Sequence, residues 1–270
     1  MDLKIGLAAA AAALAMGAAP APQPPAAPMA QPPAAPARTP YLGDAAPDSY
    51  RILPPSPAAG TPRDEADRQL FRQTRALQST ARWKLAQNDV DQFAILKDLS
   101  CAVGVELTPK NAPATAEMIA RVGLDVATAT NRPKDIYKRP RPYLRDDGQT
   151  CIEKTDLLSK SPDYPSGHNA WGWTVGLILA ELAPDRATEI LARARAFGEG
   201  RLVCGVHSLS AVESGRLNGS IVVAGLHGSE AFRKDLDIAR KEVAAARKAG
   251  PAPNPEACAR EAEIVAKSPY

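Results

Sequence analysis

The 270-residue chain carries 33 Lys plus Arg against 30 Asp plus Glu, a formal charge of +3, a balance that argues against a nucleic-acid binder with its clustered basic excess. Apolar residues make up 45%, which is globular rather than disordered, and the length allows one large domain or two small ones. Aromatics are only 5%, so the core must rest on Leu, Ile, Val and Ala.

Met1 to Lys4 carry the N-terminal amine and a lysine, and Ile5 to Ala19 is an apolar, Ala-rich run followed by small residues. This is the anatomy of a secretory signal peptide over residues 1–19, too short for a comfortable membrane span. Ala19-Pro20-Ala21 is one cleavage option, with the proline leaving the cleavage point open; the alternative is an uncleaved membrane anchor. Of 26 prolines, 14 lie between Pro20 and Pro62. Residues 20–47 therefore read as a solvated Pro/Ala-rich linker, residues 48–250 as the folded domain, and 251–270 as a C-terminal tail. No later stretch reaches the length of a span, so the mature protein is expected in the periplasm or secreted, free of the membrane.

Within the domain the pattern is helical. Thr61 can cap a helix with Pro62 at its first position, continuing to about Trp83 or Leu85. A short helix covers Val90 to Leu99, and another runs from Pro113 to Asn131. His168 to Leu182 is strongly apolar and ends at Pro184. Asp185 caps the next helix, through Ile190 and Phe197. Ser210 to Leu226 follows, and Ser229 caps a last helix stopped by Gly250-Pro251. No alternating β-branched run appears, so the fold class is all-α.

Four cysteines in an exported chain suggest two disulfides, and four allow three pairings. Cys151–Cys204 with Cys101–Cys258 is favoured, buried free thiols being the alternative. No CxxC or His/Cys cluster suggests a zinc site.

Chemistry concentrates in three segments: Lys134 to Pro142, Pro165-Ser166-Gly167-His168, and Arg201 to His207. Alone, the first is a solvated basic stretch and the second a helix cap followed by a surface histidine. Two of the chain's three histidines nevertheless fall in these segments. A phosphate dianion needs several donors: Arg141 and Arg201 offer planar forks, Lys134 a point charge and Ser166 a hydroxyl. The amides of Gly167 and His168 sit where a helix begins, with free N–H groups and a favourable dipole. One neutral imidazole can then attack phosphorus while the other, protonated, gives its proton to the leaving alcohol.

The spaced pattern K-x6-RP, PSGH and SR-x5-H-x3-D resembles the PAP2 superfamily of phosphatases and vanadium haloperoxidases. Lys134 with Arg141-Pro142 matches the first block in spacing, whereas Arg139-Pro140 would place Arg132 where the lysine belongs. Pro165 to His168 match the second block, and Arg201 and His207 the third. Leu53 to Pro57 and Cys151 through Lys160 also resemble soluble bacterial class A non-specific acid phosphatases. The resemblance implies a helical bundle with the site at one end. It makes His207 a nucleophile that passes through a phosphohistidine, and His168 the general acid that later helps activate water. Lys134, Arg141, Ser166, Gly167 and Arg201 then hold the phosphate of a small-molecule phosphomonoester. It implies no cofactor and no metal, phosphotransfer from the same intermediate, and a homo-oligomer, since family members often form dimers or larger assemblies.

Two positions depart from the pattern. The serine before Arg201 is Gly200, and the aspartate four residues after His207 is Ala211. That aspartate orients the nucleophilic imidazole, as the acid does in a serine-protease triad. Ser210, Glu213 or a backbone carbonyl is the candidate replacement, and restoring aspartate at Ala211 is expected to raise turnover unless another group already serves. The alternatives to a periplasmic acid phosphatase are a vanadate-dependent haloperoxidase and a catalytically silent phosphate-binding protein. His227 reads as filler at a helix end, and Trp171 and Trp173 as core or as the lining of a substrate mouth. Tyr137 and Tyr143 flank the basic block, and Arg233 to Lys248 reads as a solvated face.

Overall fold

The computed structural model describes residues 38–270, and helices with no strand make up their regular structure. The expected signal peptide and residues 20–37 of the expected linker lie outside the described residues. Residues 38–47 are not a solvated linker: the Tyr41 and Leu42 amides donate to the Asp125 carboxylate at 2.9 and 3.0 Å. The Tyr41 hydroxyl donates to Asp235, and Leu42 enters the core. The Pro/Ala bias stops short of these two side chains, which have enough apolar surface to dock.

The first helices are α1 (Ser49–Ile52), α2 (Pro62–Thr74) and α3 (Ala81–Asn88). Thr61 caps α2 as expected, but the single helix read through to Trp83 is two. The chain breaks at Ser79, whose φ is +65°, and restarts where the Thr80 side chain accepts from the Trp83 amide. The helix expected over Val90–Leu99 is a 3-10 turn at Gln92–Ala94 followed by α4 (Ile95–Asp98), with α5 (Ser100–Val103) after it.

Helix α6 (Pro113–Tyr137) outruns its expected end at Asn131 and continues through Pro133. Proline forfeits one backbone hydrogen bond there, yet Ala129, Thr130, Pro133 and Lys134 are all buried, so packing outweighs propensity. The N-terminus of α6 has no cap of its own. Glu242, far along the chain, accepts from the Ala114 and Thr115 amides at 3.0 and 2.8 Å, an acid at the positive end of a helix.

Then follow α7 (Asp156–Lys160), α8 (Gly167–Leu182), α9 (Ala187–Val203), α10 (Leu209–Leu226), α11 (Glu230–Ala249) and α12 (Pro255–Val265). Asp185 does not cap α9; it pairs with Arg247 at 2.6 Å. Ser208 caps α10, two residues before the expected start. The expected tail holds α12, whose Cys258 is bonded to Cys101, and the second disulfide joins Cys151 to Cys204.

Helix α8 packs between α9 and α10, with α6 against it and α11 beside α6. Small residues permit the close approach. A Cβ at Gly172 would lie 2.4 Å from Phe197 Cδ1, and one at Gly215 would lie 2.5 Å from the Ser166 carbonyl oxygen. The main core is aliphatic, built from Val122, Val126, Val175, Ile178, Leu179, Val222 and Leu226 among others. The ends of α6 and α9 and the beginnings of α8 and α10 meet at one end of this bundle, and the three chemistry-bearing segments lie there.

Candidate active site

Lys134, Arg141, Gly167, His168, Arg201 and His207 line one cavity of about 1240 Å³. Their segments are up to 73 residues apart in the chain, from 134 to 207, and the bundle brings them together. Ser166 is the exception: it is fully buried behind Gly167 and does not line the cavity. Its hydroxyl caps α8 by accepting from the Asn169 amide, while the Gly167 and His168 amides occupy the first two helical positions, where no intrahelical acceptor exists. Gly167 sits close to α6, since a Cβ there would lie 3.2 Å from Thr130 Cγ2.

Three cations converge with little to neutralise them. Arg201 is 6% exposed, and its Nε and Nη1 make no hydrogen bond. Burial first, then Arg141, lowers its pKa to about 10. Arg141 is held by backbone: Nε donates to the Ser161 carbonyl at 2.8 Å and Nη1 to the Val206 carbonyl at 2.7 Å. Lys134 Nζ donates to the Pro162 carbonyl. Burial, and then the Arg141 charge, brings its pKa down to about 7. A buried cation without a partner is costly, and an oxyanion in the cavity relieves that cost for all three.

The imidazoles are placed differently. His207 lies between Asp163 and Arg141: Nδ1 is 2.9 Å from Asp163 Oδ1, and Nε2 is 3.2 Å from Arg141 Nη1. The carboxylate can only accept, so Nδ1–H donates to it and Nε2 carries the lone pair on the cavity side. Burial, and then Arg141, Lys134 and Arg201, hold the His207 pKa well below its ordinary value. The ring of His168 stacks on Phe197 at 4.3 Å and 7°, with Phe197 filling the space that Gly172 leaves open, and the His168 Nε2 has no partner. Burial, then Arg201 and His207, lower its pKa well below the ordinary value too.

The two side chains expected to stand in for the missing acid do not reach His207. Ser210 accepts from Arg63 Nε at 2.8 Å and its amide donates to Asp67, while Glu213 pairs with Arg63 at the surface. With Ser208 as the cap, both residues are turned towards α2. Asp163 was missed in the sequence because a contact spanning 44 residues has no local signature. One signal did exist: with the acid after His207 gone, an aspartate stands two residues ahead of a matching block. Arg139, rejected as the block arginine, is buried beside Asp163. Its guanidinium also pairs with Asp64 at 3.0 Å and Asp67 at 2.8 Å. Ser161 was missed as well; it lines the cavity and accepts from Arg141.

The remaining residues take plain roles. Trp171 lines the cavity and donates to the Gln92 carbonyl, whereas Trp173 donates to Ser220. Tyr137 packs edge-on against Tyr164, Tyr143 is buried in a second cluster, and neither lines the cavity. His227 pairs with Glu181 at the surface. A Cβ at Gly200 would meet Ala86 at 3.5 Å, ordinary contact, so the absent serine reflects no steric bar. Among the described residues no cluster of three His, Cys, Asp or Glu could hold a metal ion, and no helix is long and apolar enough to cross a membrane.

Residues 115–234 match the PAP2 superfamily. The chain is 40% identical over 214 residues to a protein of Zymomonas mobilis named acid phosphatase, covering 78% of this chain and 81% of that one. It is 36% identical to a non-specific acid phosphatase of Providencia stuartii, over 77% of this chain and 86% of the relative. The identity to a non-specific acid phosphatase of Salmonella typhimurium is 35%, over 73% and 80%.

Proposed function

This chain belongs to the PAP2 superfamily, among its non-specific acid phosphatases, and from that premise we propose that it is an exported acid phosphatase that hydrolyses phosphomonoesters through a phosphohistidine. The observation that carries the reading is the buried, unpartnered Arg201 in a cavity shared by His207, His168, Lys134 and Arg141. The substrate dianion lies among the three cations and the free amides at the start of α8. His207 Nε2 attacks phosphorus, and the ester bond breaks as the leaving oxygen takes a proton from His168. Water then attacks the phosphohistidine, His168 takes a proton from it, and phosphate departs with His207 restored. An alcohol in place of water gives phosphotransfer. Burial, and then the neighbouring positive charge of Arg201, disfavour protonation of His168, and the incoming dianion offsets that charge. Donors that tighten on the planar phosphoryl group lower the barrier.

The same electrostatics set the pH window. A nucleophile must be neutral, and burial, then the cations around His207, keep it neutral into acid. Lys134 is charged below its pKa of about 7 and loses its charge above it, so affinity for the dianion falls as pH rises through that value. Aryl-phosphate hydrolysis with a chelator present is expected to show kcat/KM, which reports the free enzyme, declining above pH about 7. Lys134→Arg is expected to move that decline upward, since a guanidinium stays charged. Activity abolished by the chelator, or halide oxidation with vanadate and peroxide in place of hydrolysis, contradicts the reading. The leader at residues 1–19 and the two disulfides support export to the periplasm or beyond.

A further inference from the structure

We infer that in this chain the acid that positions the nucleophilic histidine has moved from the helix after it to the loop before α8, and is Asp163. This rests on the phosphatase reading. The expected position is Ala211, which is fully buried. Its amide donates to the Ser208 hydroxyl oxygen and its carbonyl accepts from the Ser166 amide at 3.0 Å, so nothing on that residue reaches the imidazole. Asp163 meets the requirement from the other side, 2.9 Å from His207 Nδ1 and 1% exposed.

The carboxylate is itself held. Oδ1 also accepts from the Ser208 amide at 3.1 Å, and Oδ2 accepts from the Ser208 hydroxyl at 2.6 Å and from Arg139 Nη1 at 3.4 Å. Burial pushes the Asp163 carboxyl up, while Arg139 and both Ser208 donors pull it down. Four donors on two oxygens is the pattern of an ionised, acceptor-only carboxylate. Arg139 is anchored in turn by Asp64 and Asp67 of α2, so the imidazole is tied to a helix more than a hundred residues earlier in the chain.

Position explains why the acid can sit there. Ser161, Pro162 and Asp163 are consecutive, and they bind in turn Arg141, Lys134 and His207. One short strap therefore sets two phosphate-holding side chains and the nucleophile together, and leads directly into the start of α8. Asp163 touches no reacting atom; it acts by fixing the tautomer that leaves Nε2 free, and by opposing the positive charge the ring gains on phosphorylation.

The test begins with wild-type hydrolysis of an aryl phosphate; if there is none, the phosphatase reading falls and this inference with it. With activity present, Asp163→Asn is expected to lower kcat on the order of a thousandfold or more, with the Kd for inorganic phosphate little changed, because the cations stay in place. The Asp64 and Asp67 anchors of Arg139 remain, so the variant keeps its fold. Adding Ala211→Asp to Asp163→Asn is expected to restore at least tenfold of the lost turnover, which a purely structural loss would not allow. In the otherwise unchanged chain, Ala211→Asp gives no gain, since Nδ1–H makes one hydrogen bond and Asp163 already accepts it. A single Asp163→Asn variant within tenfold of wild type, phosphate affinity lost in step with kcat, or a double variant no faster than the single one overturns the inference.

Discussion

Replacing His207 by alanine is expected to lower aryl-phosphate turnover by on the order of 10⁵-fold or more, the scale seen when a nucleophile that works as part of a unit is removed. The phosphate-holding groups remain: Arg141 keeps its backbone anchors at Ser161 and Val206, and Arg201 keeps its place at the end of α9. The Kd for inorganic phosphate in the variant is therefore expected to stay close to wild type. Turnover within a hundredfold of wild type would mean that another atom attacks phosphorus.

His168→Ala is expected to act through the leaving group. An alkyl alkoxide needs a proton as it departs, whereas a nitrophenolate does not. General acid catalysis contributes about 10²–10⁴-fold, so alkyl phosphates are expected to lose that much in kcat/KM and p-nitrophenyl phosphate far less. The second half of the reaction loses its base for water in both cases, so kcat falls for either substrate and the phosphorylated enzyme accumulates. His168 lies against Phe197 with its Nε2 unpartnered, so that nitrogen leaves no partner stranded when the ring is removed. An equal loss of kcat/KM for both ester types would assign His168 to binding rather than to proton transfer.

Much of this site was legible in the chain, for reasons that differ from residue to residue. Lys134, Arg141, His168, Arg201 and His207 fall in short blocks whose spacing encodes a register on a helix end or loop. Gly167 after a capping serine announces a helix start, and the structure has it. The role given to Ser166 as a direct phosphate donor is less simple, because its hydroxyl is engaged in the cap that the same sequence signal predicts. Arg139 and Ser161 have no local signature, since each acts through a contact made only when distant segments fold together, and Asp163 has only its place beside Pro165 to mark it.

The fold shows the same division. Thr61-Pro62 and Ser229 mark helix starts by local chemistry and the structure agrees. Local rules misplace the end of α6, where burial of Ala129, Pro133 and Lys134 overrides proline. They also miss the break at Ser79, a left-handed residue with no glycine to announce it. The last helix was passed over despite a readable signal: Asn254 accepts from the Ala257 amide at 3.0 Å and Pro255 is the first helical residue, the usual cap and first-turn pair. Gly250-Pro251 ends α11 but not the fold, because Cys258 is tied to Cys101 and holds the following helix to the bundle.

The central claim is that phosphorus is transferred to His207 with His168 beside it, and it has one direct test. Enzyme mixed with a ³²P-labelled aryl phosphate is quenched in alkali within a turnover, digested, and the labelled peptide identified, using wild type, His207→Ala and His168→Ala. The account predicts an alkali-stable, acid-labile label on the peptide carrying His207, more of it in His168→Ala, and none in His207→Ala. Label on another residue, or hydrolysis by an enzyme that never becomes labelled, would contradict it.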